Sequence, residues 1–221
     1  MNNLETGDLL LFSDNSTGWF GYFTSAIKFF TQSKYSHIGM VLKNPTFIHP
    51  SLRGIYVWES SWEGKPDPQD GKIKLGVQIT PLLEILDTYK KNNGHVYSRK
   101  LKFLKKNNDN LFNFRLLIEK KLRHNIFNDL EMKKIHDVVY NKPYDIVPKD
   151  WLEAIFRKDD NPQKIDRFWC SALVGYIYTQ LNILDKNTDW SILRPSDFSV
   201  ENECLNMTGI CLLENQENKI F

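Results

Sequence analysis

Phe168-Trp169-Cys170-Ser171-Ala172-Leu173-Val174, running on through Ile177, Tyr178 and Leu181, reads as the strongest helix in the chain. Its apolar residues fall on one side, and Cys170 stands at its head rather than in the middle of that face. A helix start offers unpaired backbone N–H groups and the positive end of the helix dipole. A second stretch, Tyr35-Ser36-His37-Ile38-Gly39-Met40-Val41-Leu42, reads as a buried strand headed by a histidine. In a strand alternate residues share a face, so His37, Gly39 and Val41 point together, and the glycine leaves room for a partner.

Outward from these two runs the chain alternates between strand and helix patterns. Thr6-Gly7-Asp8 is a turn signal before a short buried strand, Leu9 to Phe12. Arg53-Gly54 introduces Ile55-Tyr56-Val57-Trp58-Glu59, and Gly76 to Thr80 is a third candidate strand after a Gly- and Pro-rich loop. Pro81 suits the first turn of a helix reaching about Tyr89. His95 to Leu101 reads as a strand, and Leu111 to Arg123 and Asp129 to Tyr140 as helices. Helices over Trp19 to Phe30 and Pro148 to Arg157, a connector over Leu193 to Phe198 and a closing strand over Gly209 to Leu213 complete the expectation. Strands, then helices, then the cysteine helix, then a strand give an α+β protein. With no repeat and no shift of composition, residues 1–221 read as a single domain.

Bulk properties narrow the function classes. Hydrophobic content of 41% and charged content of 25% are those of an ordinary globular protein. A net charge of +2 gives no reason to expect a nucleic-acid partner. Cys170, Cys204 and Cys211 form neither a paired disulfide framework nor a close metal-ligand doublet, and no zinc site is expected from their spacing. The start, Met1-Asn2-Asn3-Leu4-Glu5, lacks the pattern of a signal peptide, and no apolar run reaches transmembrane length. The expected setting is intracellular, cytoplasmic or virion-associated.

A thiol becomes a nucleophile near neutral pH when a base or positive charge lies within hydrogen-bond reach. His37 is the candidate base for Cys170. Glu59, on the face of Ile55 and Val57 at the end of their strand, is the candidate carboxylate for the other ring nitrogen, fixing the tautomer as in a triad. Each residue taken alone has an ordinary reading: a buried small cysteine, a core histidine, a solvated strand end. Glu63 is the weaker carboxylate because it already lies in the loop. His49, His95, His124 and His136 sit in less ordered surroundings.

Taken together these segments resemble the permuted papain-fold cysteine hydrolases, the circularly permuted branch of the NlpC-type superfamily. That branch includes lecithin:retinol-acyltransferase-like, bacterial lipid-amidase-like and poxvirus members. The resemblance lies in Thr6-Gly7-Asp8-Leu9-Leu10, the His37 strand, Val57-Trp58-Glu59-Ser60, Gly76-Val77-Gln78-Ile79-Thr80-Pro81-Leu82, Lys142-Pro143-Tyr144-Asp145, the Cys170 run and Arg194-Pro195-Ser196-Asp197-Phe198. The order His, Glu, Cys is its most specific mark, being the reverse of the usual cysteine-before-histidine order. It implies an antiparallel sheet packed against the helix that carries the cysteine. Residues of about 87–140 are longer than a minimal member needs and are expected to form a helical insertion.

The resemblance implies Cys170 as nucleophile, His37 as base and Glu59 as orienting group, with a thioester acyl-enzyme and no cofactor. The expected substrate is an amide or ester of an acylated small molecule, lipid or lipidated molecule, with peripheral membrane contact. The aromatic run Trp19 to Phe30 is a candidate acyl-chain wall, although ordinary core is its commoner role. The alternatives are peptide cleavage and a non-catalytic binding or virion-structural module that retains the fold.

Overall fold

The computed structural model describes residues 3–13, 33–103, 112–146, 164–201 and 204–220. The expected helices over Trp19 to Phe30 and Pro148 to Arg157 lie outside these residues.

Six antiparallel strands form one sheet: β1 Leu9–Ser13, β2 His37–Lys43, β3 Ile55–Trp62, β4 Leu75–Pro81, β5 His95–Phe103 and β6 Cys211–Lys219, in the spatial order β4-β3-β2-β1-β5-β6. Four α-helices are described: α1 Leu82–Lys91, α2 Phe112–Ile126, α3 Asp129–Val139 and α4 Cys170–Gln180. The protein is a mixed α+β fold. No helix among the described residues is long and apolar enough to cross a membrane.

The period-2 alternation of the strands creates two apolar faces. Leu10, Phe12, Val41, Val57 and Val96 pack with Leu82, Ile85 and Leu86 of α1. Leu9, Leu11, Met40, Leu42, Trp58 and Ile79 pack with Met132 and Ile135 of α3 and with Leu173, Val174 and Ile177 of α4. The sequence suggests a one-sided α4; the structure buries every residue from Cys170 to Thr179. The 3-10 turn Trp190–Ile192 packs against α4, so closely that a Cβ on Gly175 would lie 2.9 Å from Trp190 Cβ.

Residues 87–140, read from the sequence as a helical insertion, contain β5, which pairs with β1 and β6 inside the sheet. Only their later part, α2 and α3, is a helical excursion. Asn128 caps α3 by accepting from the Glu131 N–H at 3.0 Å. A buried carboxylate ties the excursion to the sheet: Asp8 accepts from Leu101 N–H at 3.1 Å, Lys100 Nζ at 2.8 Å and Arg123 Nη1 at 3.2 Å.

The C-terminal half is stitched to the free edge of β4. Gly76 faces Pro143 in an isolated bridge, Val77 N–H donates to Lys142 O at 2.9 Å, and Tyr144 N–H donates to Leu75 O at 3.2 Å. Gly76 is needed here twice over: its φ is +148°, and a Cβ would lie 2.3 Å from the Lys142 carbonyl oxygen. Tyr144 then pairs with Phe168, which leads directly into α4.

Candidate active site

The β2–β3 ladder stops at the pair Met40–Trp58, although β2 begins earlier at His37 and β3 continues to Trp62. Beyond that pair each strand keeps only its outer neighbour, β1 for His37 and β4 for Glu59 to Trp62. The candidate residues gather at this seam.

His37 Nε2 and Glu59 Oε2 are 2.7 Å apart, with the ring donating to the carboxylate. The sequence places Glu59 at a strand end. The structure instead carries β3 three residues further, so Glu59 sits inside the strand and is only 1% exposed. Gly39 does leave room, but for β3: a Cβ there would lie 2.3 Å from Val57 Cγ1 and 3.4 Å from Glu59 Cβ. The glycine therefore lets the carboxylate strand approach, rather than the thiol.

The Cys170 sulfur is the other partner of His37, sharing a side-chain hydrogen bond with the ring. Burial works against the charged ring. The sulfur and the Glu59 carboxylate together outweigh it and push His37 up to about 10. At neutral pH the imidazole is therefore held in its protonated form. Glu59 Oε1 is buried and has no hydrogen-bond partner among the described residues.

Several bonds fix the start of α4. The Phe168 carbonyl accepts from Ser60 Oγ at 2.6 Å and from Asp145 N–H at 3.2 Å. Ser171 Oγ and Trp169 Nε1 both donate to Leu193 O, at 2.6 and 3.3 Å. The connector that follows is braced by Asp197, whose Oδ2 accepts the Arg194 N–H at 2.9 Å. Trp169 occupies the N-cap position without a capping hydrogen bond from its side chain, so the first N–H groups of α4 carry no side-chain cap. Cys170 itself is 3% exposed.

Two further residues, given no catalytic role by the sequence, are electrostatically linked to the site. Tyr144 feels the charge of Cys170, and its phenol is held well above its ordinary pKa by burial, then by Cys170 and Asp145, so it stays an O–H donor. Glu63, set aside as a loop residue, follows the last residue of β3 and feels both Glu59 and His37. The motif around Tyr144 was legible, but its role depends on the pairing of Tyr144 with Phe168, which no local pattern encodes.

The remaining histidines are elsewhere. His136 packs among Phe47, Trp58 and Tyr140 and bonds Gln69 Oε1 through Nε2 at 2.7 Å, while His49 bonds Ser51 on the surface. Cys211 lies in the core, its thiol pushed up to about 11 by burial, and Cys204 is exposed. No group of three or more His, Cys, Asp or Glu residues placed to hold a metal occurs among the described residues. A scan against protein-family models finds no match, and a search of curated proteins finds none either.

Proposed function

We propose that the protein is a cysteine-dependent hydrolase or acyltransferase of the permuted papain-like type, acting on an amide or ester through Cys170, His37 and Glu59. One observation carries this reading: a single imidazole bonded to a buried carboxylate through Nε2 and to a thiol at a helix start. A protonated ring beside the sulfur favours thiolate, the attacking species.

In the proposed cycle the sulfur of Cys170 forms a bond to the acyl carbon, and the carbonyl π electrons move onto oxygen. The uncapped N–H groups at the start of α4 and the Tyr144 hydroxyl are the donors available to that oxyanion. Collapse breaks the bond to the leaving group, which takes the proton from His37 and leaves a thioester. The neutral ring then takes a proton from water or another acceptor, which attacks the thioester and frees the sulfur. Glu59 keeps Nε2 as the donor throughout and stabilises the charged ring. An acylated small molecule, a lipid or a peptide fits this chemistry, and a reducing intracellular setting suits an enzyme that depends on a thiol.

The near-complete burial of Cys170 favours a second reading, a binding or virion-structural module in which the thiol is only core. Alkylation separates the two. At pH 6 iodoacetamide is expected to modify Cys170 faster than exposed Cys204, with the preference lost in His37→Ala, and Cys170→Ala is expected to form no acyl adduct with a p-nitrophenyl ester. Faster labelling of Cys204, or an adduct that survives Cys170→Ala, would remove the catalytic reading.

A further inference from the structure

The face of the sheet that carries α3 and α4 is covered unevenly. Trp58 on β3 and Val77 and Ile79 on β4 are buried in the core that these helices share. Trp62 and Leu75, the last cross-strand pair of the same two strands, are 48% and 37% exposed. Strand alternation puts them on the face of Ser60 and Val77, and side chains directly opposite in a sheet interact. A single exposed leucine is ordinary, but a half-exposed tryptophan set against an exposed leucine, on a face otherwise buried, is not. The pair is also close to the candidate nucleophile. Ser60, about 7 Å back along β3 from Trp62, donates its hydroxyl to Phe168 O at 2.6 Å, two residues before Cys170. Alongside, the Tyr144 N–H donates to Leu75 O and the Asp145 N–H to Phe168 O, both at 3.2 Å, and the next residue, Ile146, is 61% exposed. An apolar strip therefore leads from Trp62 and Leu75 toward the head of α4, flanked by Ile146.

We propose that this strip is the subsite for the hydrocarbon chain of the acyl substrate, with Trp62 and Leu75 as its specificity-determining residues and medium-chain fatty esters or amides as the substrate class. This rests on the reading of Cys170, His37 and Glu59 as an acyl-transfer site. Two features favour a hydrocarbon over a peptide. An extended peptide binds by pairing its main chain with a free strand edge, but the edge of β4 beside the strip is already taken. There Leu75 O accepts from Tyr144 N–H, and Val77 N–H donates to Lys142 O. A peptide laid on the strip would bury main-chain polar groups against apolar side chains without partners. The charge next to Leu75 is also committed: Lys74 Nζ lies 2.9 Å from Asp67 and 3.0 Å from Asp70, its side chain only 11% exposed. A hydrocarbon needs neither edge nor charge, and each methylene it buries favours binding about fourfold. The step from Ser60 to Trp62 is longer than an acetyl group and within reach of an octanoyl chain.

The test compares kcat/KM for p-nitrophenyl octanoate and p-nitrophenyl acetate in wild type, Trp62→Gln, Ile146→Gln and Leu83→Gln. Leu83 is a control, an exposed leucine on α1, the helix that packs on the other face of the sheet. Wild type is expected to favour octanoate by about tenfold or more, the effect of about two buried methylenes. That ratio should fall by about threefold or more in Trp62→Gln and Ile146→Gln and stay unchanged in Leu83→Gln. Taking the ratio cancels any general loss of folded protein. No preference in wild type, or a preference unmoved by both strip variants, overturns the proposal. A second readout needs no turnover: octanamide should shift the Trp62 indole N–H signal of the Cys170→Ala protein saturably, and acetamide should not, the signal being assigned by its loss in Trp62→Gln. An unmoved signal overturns the proposal. The octanamide shift without acylation of any ester by wild type would overturn the enzymatic reading and leave the apolar site standing, whereas acylation without chain-length preference would do the reverse. A wild-type dimer that dissociates in Trp62→Gln on sedimentation would assign the strip to a second copy of the chain and overturn the proposal.

Discussion

Ser60→Ala probes how the nucleophile is held. Ser60 is fully buried, and its Oγ donates at 2.6 Å to the Phe168 carbonyl, two residues before Cys170. Removing the hydroxyl leaves that carbonyl, among the described residues, with the Asp145 N–H at 3.2 Å. Losing one buried hydroxyl bond while the acceptor keeps a weaker partner costs about 1–2 kcal/mol. For a chain of this size that corresponds to a fall in Tm of roughly 2–8 °C. The chemical effect should be larger than the thermal one, because the bond fixes the peptide that aims the sulfur at His37. A misplaced nucleophile loses about tenfold or more in rate. The assay pairs calorimetry with the rate of acyl-enzyme formation from a p-nitrophenyl ester, followed by mass spectrometry. A lowered Tm with acylation at the wild-type rate would show that Ser60 supports the fold without positioning the thiol, and would refute the reasoning.

Other perturbations separate the remaining roles. Glu59→Gln should keep weak acylation while the high-pH limb of the rate profile moves down from the region near 10, since the amide cannot hold imidazolium; an unmoved limb would count against Glu59 as the orienting group. Tyr144→Phe should slow acylation by about tenfold but leave iodoacetamide labelling of Cys170 unchanged, and equal loss in both would point to a packing role. His136 is held below its ordinary pKa, first by burial. Its neutral form is the one that fits, so the stability it contributes is present above the unfolded histidine value and is lost as pH falls through the folded one. His136→Gln should therefore lose less stability than wild type between about pH 7.5 and 5.5 in urea titrations, with equal losses refuting this. Gly76→Ala should destabilise the protein by about 1–3 kcal/mol through strain and the clash with Lys142 O, and a wild-type Tm would refute the tight approach.

The strands around the site were legible because each is a short, strongly apolar run. The boundaries that failed are those where burial comes from distant chain. β3 continues through Ser60 and Ser61, polar residues satisfied by Phe168 O and by Gln78. β6 runs on through Glu214 to Lys219, polar residues of an edge strand that shows no alternation. His37, Glu59 and Cys170 could be named in advance because the resemblance ordered them, and the structure brings the three together. Their catalytic role is what the proposed experiments address. The sequence reads Glu63 as a loop residue and the weaker carboxylate, and the structure agrees on the loop: Glu63 directly follows Trp62, the last residue of β3.

The stitching of Lys142 to Tyr144 onto β4, and of Phe168 onto Tyr144, has a consequence for when reactivity arises. Ring and sulfur belong to segments that meet only when α4 is docked on β2 and β3. On the proposed reading an unfolded polypeptide therefore carries an ordinary cysteine, and docking of α4 on the sheet creates the reactive form. Damage that frees this seam would silence the thiol before it could modify anything indiscriminately.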